Sequence, residues 1–108
     1  MTTVKPESYM ESGFKINWTD HALSELSETI KYLEDNWTEH ELTQFANAVD
    51  NTVEIISRHP EIFPASHKRK KIRKAVVDKN NTLFYRIAKD SIQILSLFGT
   101  SQDPAKRK

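Results

Sequence analysis

Two stretches of helical periodicity separated by almost no linker constrain this chain more than any other feature. Leu23, Leu26, Ile30, Leu33 and Trp37 recur at three- and four-residue spacing, with Ala22 beside them. That is the apolar stripe of an amphipathic helix. Leu42, Phe45, Ala46, Val49, Val53 and Ile56 mark a second stripe. Between the two, Thr38 and Glu41 fit a capping box, in which Thr38 caps forward and Glu41 reaches back to the Thr38 backbone. The spacing predicts a first helix over 20–36, started by Thr19 or Asp20, whose side-chain oxygens can accept a free backbone N–H. The second helix must stop before Pro60, which cannot continue it, and His59 is biased away from helix by the proline that follows. So short a link permits only a tight reversal, so the pair is predicted to form an antiparallel helical hairpin.

The remaining apolar residues follow strand spacing. Phe14, Ile16 and Trp18 alternate with Lys15 and Asn17, the pattern of a half-buried strand. Residues 60–67 read as a loop and 70–77 as a strand with weak alternation. Asp78, Lys79, Asn80 and Asn81 form a turn, because asparagine tolerates the left-handed backbone that turns require. Residues 82–87 make a strand with Leu83, Tyr85 and Ile87 on one face. Lys89 and Asp90 turn the chain again, into a nearly continuous apolar strand over 92–98 that belongs inside the sheet. The expected architecture is α+β: an N-terminal strand, the helical hairpin, then a three-strand antiparallel meander, with the helices on one face of the sheet. Trp18, Trp37, Phe45, Phe84, Tyr85 and Phe98 are read as core packing rather than a base-stacking platform. Of these, Tyr85 is the one whose hydroxyl, beside Arg86, could reach the surface.

A chain of 108 residues suits one domain. Residues 1–13 are expected to be a flexible segment, 14–104 the domain and 105–108 a basic tail, with Met10 a candidate second start. The chain has no cysteine, which excludes disulfides and thiolate chemistry and suits a reducing cytosol. No apolar run approaches the ~20 residues of a membrane span, and residues 1–13 lack the apolar core of a secretory signal. With two glycines in all, there is no phosphate-cradling loop or nucleophile elbow, and no nucleotide cofactor is expected.

The net charge of +1 conceals a division. Residues 19–54 carry −8 and residues 55–108 carry +9. The positive half is concentrated between His67 and Lys74, where Lys68, Arg69, Lys70, Lys71, Arg73 and Lys74 make six cations in eight residues. A lysine-blunted edge strand needs only two or three such charges. The surplus points to an anionic partner, either a phosphate backbone or an acidic peptide. His21, His40, His59 and His67 form no spaced pair with a carboxylate on one helical face, so no metal site is expected.

Several of these features, in this order, resemble the RelE/ParE toxin superfamily of bacterial type II toxin–antitoxin systems. They are the entry into the first helix through Trp18, Thr19, Asp20, His21 and Ala22, and the hairpin end at Ile55, Ile56, Ser57, Arg58, His59 and Pro60. The basic strand follows, then Leu83-Phe84-Tyr85-Arg86-Ile87, then Ile92 to Phe98, and Asp103-Pro104 after the last strand. The resemblance covers residues 14–104 and rests on order and spacing rather than on one motif. It implies a small cytoplasmic toxin, of a kind tied to plasmid stabilization, held in check by a cognate antitoxin that wraps a segment around it in a hetero-oligomer. RelE-like members cut messenger RNA on the ribosome, whereas ParE-like members block DNA gyrase without nuclease residues.

On that resemblance Lys71 and Arg73 match the basic pair on the first strand of the meander. Thr82 stands where an arginine is expected, and Gly99-Thr100-Ser101-Gln102 where a histidine or arginine usually follows the last strand. The only late tyrosine is Tyr85. Losing one positioned charge stabiliser costs ~2.7–4 kcal/mol of transition-state stabilisation, and losing the proton-transfer group a further ~10²–10⁴-fold in rate. These departures favour the ParE-like branch, with the antitoxin in an apolar groove between hairpin and sheet and its acidic residues on the basic strand. Two alternatives stand beside it. One is a ribosome-dependent ribonuclease that uses Lys71, Arg73, Arg86, His67 and Tyr85; the other is a decayed toxin that only binds its antitoxin.

Overall fold

The structure is a computed structural model that describes residues 13–99. The N-terminal segment, apart from Gly13, and the basic tail distinguished by sequence lie outside the described residues. The elements are β1 (Lys15–Trp18), α1 (Asp20–Asn36), α2 (Glu39–Arg58), β2 (Arg73–Asp78), β3 (Asn81–Ile87) and β4 (Ser91–Gly99).

Both helices start as the sequence predicts. The Thr19 hydroxyl accepts from the Ala22 N–H at 3.1 Å, and Thr19 also donates through its own backbone N–H to the Ile94 carbonyl at 3.0 Å. One residue thus caps α1 and fastens it to β4. At the hairpin tip the Glu41 carboxylate accepts from the Thr38 N–H at 3.1 Å, and the Thr38 hydroxyl accepts from the Glu41 N–H at 3.2 Å. The capping box is therefore closed on both sides. These bonds to Thr38, backbone first and side chain second, hold the Glu41 carboxyl below its ordinary value. The helix ends at His59, whose N–H donates to the Ile55 carbonyl just before Pro60.

The four strands lie in the order β1-β4-β3-β2. β2, β3 and β4 form the expected antiparallel meander, but β1 pairs parallel with β4, from Lys15 opposite Ser91 to Trp18 opposite Ile94. The chain leaves β1 at one edge, crosses one face of the sheet as the helical hairpin, and returns as β2 at the far edge. β4 is interior, as its apolar run requires. The core lies between hairpin and sheet: Ala22, Phe45, Val49 and Ile56 from the helices meet Ala75, Leu83, Tyr85, Ile92, Ile94 and Leu97 from the strands. At the base of the hairpin the Phe14 N–H donates to the Ser57 carbonyl at 2.8 Å, and the Ser57 hydroxyl donates to the Phe14 carbonyl at 2.7 Å. Gly13 passes so close that a Cβ there would lie 2.9 Å from the Ser57 carbonyl oxygen.

Four expectations need correction. The β2–β3 turn uses no left-handed residue, since no non-glycine residue among those described has positive φ. The Asp78 carboxylate builds it instead, accepting from the Asn80 N–H at 2.8 Å and the Asn81 side-chain amide at 3.0 Å. Trp37 is not core. It is the extended residue that ends α1, and it is 47% exposed. Phe98 is exposed as well, because it points to the face opposite the helices, where it pairs with Thr82. Leu23 and Ala46, counted among the apolar stripes, sit at their margins and are exposed.

Candidate functional site

The basic run is a loop, not a strand. β2 begins at Arg73, and residues 66–72 form a closed excursion before it. The Ser66 N–H donates to the Ile72 carbonyl at 2.6 Å, and the Ile72 N–H donates to the Arg69 carbonyl at 3.0 Å. The Ser66 hydroxyl also accepts from the Lys68 N–H at 3.3 Å. Consecutive like charges favour such a solvated turn over a strand, in which alternate cations would face the core. His67, Lys68, Arg69, Lys70 and Lys71 are all exposed, and Ile72 is tucked partly beneath them. Among the described residues the ion pairs are His21–Glu25, Lys31–Asp35 and Arg58–Glu54, all within the helices. None of the loop cations has a carboxylate partner among the described residues.

Two buried contacts anchor the stem of this loop. Arg73 shares the helix-facing side of β2 with Ala75, while Lys74 points to the other side. The Arg73 guanidinium donates to the Phe63 carbonyl at 2.6 Å and to the Glu61 carbonyl at 3.4 Å. Tyr85, opposite Arg73 on β3, is fully buried and donates its hydroxyl to the Pro60 carbonyl at 2.6 Å. Its ring meets Phe63 edge to face, with centroids 6.4 Å apart. Burial pushes the Tyr85 phenol up, against weaker opposing pulls from the Arg73 charge and the Phe63 backbone. The Lys74 N–H donates to the Pro64 carbonyl at 3.0 Å, and Ala65 bridges to Arg73. Residues 60–65 are thereby laid along the outer edge of β2.

The candidate catalytic residues do not converge. Tyr85 is internal, as its place among the core aromatics implied, because the alternation of β3 points it toward the helices, and its hydroxyl is bonded inside rather than reaching the surface. Arg86, next along the strand, faces the opposite way and donates to the Gln93 side chain at 2.6 Å. Arg73 is committed to backbone carbonyls, and His67 and Lys71 project from the loop. No three or more His, Asp or Glu side chains among the described residues are placed to hold a metal ion.

A hollow does lie between hairpin and sheet, but at the other end of β2. It has a volume of about 430 Å³ and is lined by Leu33 of α1, Trp37 just past its end, Phe45 and Ala48 of α2, and Asp78 and Asn81 at the β2–β3 turn, among others. The Asn81 side-chain oxygen in its wall is buried and has no hydrogen-bond partner among the described residues. β2 spans six residues, so the hollow and the basic loop are ~17 Å apart at ~3.4 Å per residue. The single groove with a basic wall expected from sequence is therefore two separate features.

Sequence reasoning missed Glu25. β1 ends at Trp18, which leaves that edge of β4 beyond Ile94 without a strand partner among the described residues. Glu25 of α1 closes it, with one carboxylate oxygen accepting from the Ser96 hydroxyl at 2.7 Å and the Leu97 N–H at 2.9 Å. The only signal in the sequence is an acidic residue flanked by Ala22, Leu26 and Thr29 on the inward side of the helix.

A helical hairpin on one face of a mixed four-stranded sheet, entered through a parallel edge strand, defines the RelE/ParE type of toxin fold. Residues 16–104 match the family model of the ParE toxin of type II toxin–antitoxin systems, parDE. The chain belongs to that family. Solved structures share the fold at low identity. The chromosomal ParDE toxin–antitoxin system from P. aeruginosa is 13% identical with a TM-score of 0.67, over 78% of this chain and 92% of that one. The YoeB/ParE toxin from Agrobacterium tumefaciens is 9% identical with a TM-score of 0.57, over 78% and 95%. The E. coli DinJ–YafQ toxin–antitoxin complex is 9% identical with a TM-score of 0.58, over 85% and 98%. No curated protein sequence matches the chain.

Proposed function

We propose that this ParE-family chain arrests growth by occupying a protein target, with DNA gyrase as that target, and without cutting RNA. The observation that carries this reading is the dispersal of the candidate nuclease groups. In-line cleavage of a phosphodiester needs charge stabilisers and a proton-transfer group around one phosphate, within hydrogen-bond reach of it. Here the tyrosine is internal with its hydroxyl donated to Pro60, Arg73 is donated to the Phe63 and Glu61 carbonyls, and Arg86 lies on the opposite face of the sheet.

A cognate antitoxin in the cytoplasm holds the chain inactive in a hetero-oligomer. The hollow at the hairpin tip supports this reading, because Leu33, Phe45, Ala48 and an exposed indole, Trp37, line it together with hydrogen-bonding side chains. The test is direct: purified chain is added to gyrase and relaxed plasmid, and in parallel to a translating extract. Supercoiling is expected to fail while transcripts stay intact. Undiminished supercoiling removes gyrase as the target, and transcript cleavage lost in Arg73→Ala reinstates the nuclease.

A further inference from the structure

We infer that the loop from His67 to Lys71 is a docking element for the phosphate backbone of a double-stranded nucleic acid. This goes beyond target binding and stands on the loop alone, whether or not the chain arrests growth. Lys68, Arg69, Lys70 and Lys71 are consecutive, exposed, and unpaired with any carboxylate among the described residues. Bringing four cations together costs self-repulsion, and no carboxylate among the described residues relieves it, although the helices carry a surplus of acids.

Geometry adds to charge. The loop is closed at its neck by the Ser66–Ile72 backbone bond and fastened below by the Arg73–Phe63 and Tyr85–Pro60 bonds. Its cations are thus presented from a fixed base, which lowers the ordering cost of binding. The acidic hairpin and the basic loop also give the molecule an oriented field that turns the loop toward a polyanion.

The chemistry of the loop selects among polyanions. A protein interface needs a dehydrated core depleted of charge, yet no apolar side chain lies between His67 and Lys71. Single strands are held by stacking bases on exposed aromatic rings, and the loop has none. What remains is attraction to closely spaced phosphates, the sequence-independent mode of duplex binding, driven by counterion release.

The experiment is fluorescence anisotropy with a labelled 20-base-pair DNA duplex, the same length of single-stranded DNA, and an RNA duplex. Poly-L-glutamate serves as competitor, and salt is varied from 50 to 200 mM. The variant replaces Lys68, Arg69, Lys70 and Lys71 together by serine, and the control replaces Lys79 and Lys89. Neither set of side chains makes a hydrogen bond or ion pair within the described residues, so both variants should keep the parent's urea midpoint. Four phosphate contacts predict a slope of log K against log salt near −3.6, a loss of ~10²-fold across that range. The loop variant should lose most of this slope, and the control should keep it. Tighter binding of DNA or of RNA duplex identifies which helix the loop serves. The inference is overturned by an unchanged slope in the loop variant, by preference for the single strand, or by displacement of the duplex by poly-L-glutamate at equal charge concentration. Growth arrest that persists in a loop variant unable to bind duplex would leave the target reading intact and detach this loop from it.

Discussion

The Tyr85 phenol sits 2.6 Å from the Pro60 carbonyl, and the Arg73 guanidinium 2.6 Å from the Phe63 carbonyl. Side chains whose chemistry suits phosphate cleavage here tie a loop to a sheet. Tyr85→Phe is expected to lower unfolding stability by about 1 kcal/mol, the worth of one hydrogen bond, and to leave growth arrest intact. Had the phenol been a proton donor in catalysis, the same change would abolish activity with the fold unharmed. The pH dependence gives a second readout. Because burial raises the folded-state phenol pKa, its stabilising contribution is present below the unfolded value of about 10 and fades as pH rises through the folded value. Urea midpoints of the parent chain should therefore fall more steeply above pH ~10 than those of Tyr85→Phe. The sequence shows the identity of Tyr85 and the strand it belongs to. It does not show which face is covered, because strand alternation is symmetric until a helix packs on one side.

At the scale of elements, α1 is held by its cap on β4, by its buried stripe and by the Glu25 carboxylate at the open end of β4. Glu25→Ala should leave the Leu97 N–H unpaired and cost about 2 kcal/mol, as expected for hydrogen bonds to a charged group; chemical denaturation checks this. The hairpin tip depends on its capping box, so Thr38→Ala should lower stability by ~1 kcal/mol. The depressed Glu41 pKa sets the sign of the acid response. Its contribution is complete above the ordinary glutamate value of about 4.3 and is lost as pH falls through the lower folded value. Glu41→Gln should remove that component of acid unfolding, measured by helical circular dichroism against pH. Helix boundaries and caps were legible because Thr38, Glu41 and Pro60 act locally. The start of β2 was not. A run of lysines and arginines reads as edge strand or as loop with equal ease, and only the Ser66–Ile72 closure distinguishes them. Nor could spacing show that β1 pairs parallel with β4, since that contact joins residues about 75 positions apart.

For the molecule as a whole, order and spacing of elements sufficed for the fold, because a two-residue link and a proline stop leave the hairpin one place to pack. The candidate site was less legible. The cations were visible as a run, but their separation from the apolar hollow follows from β2 standing between them. Two surfaces at opposite ends of one strand suit the two occupants proposed for them, an antitoxin in the hollow and a polyanion at the loop. This ParE-family chain is proposed to stop growth through a target rather than through RNA cleavage. Induction in a bacterial host, with viable counts and transcript integrity followed in the same culture, tests it most directly. Viable counts are expected to fall while transcripts stay full length. Transcripts cut at codon intervals, or growth undisturbed at high expression of the folded chain, would contradict it.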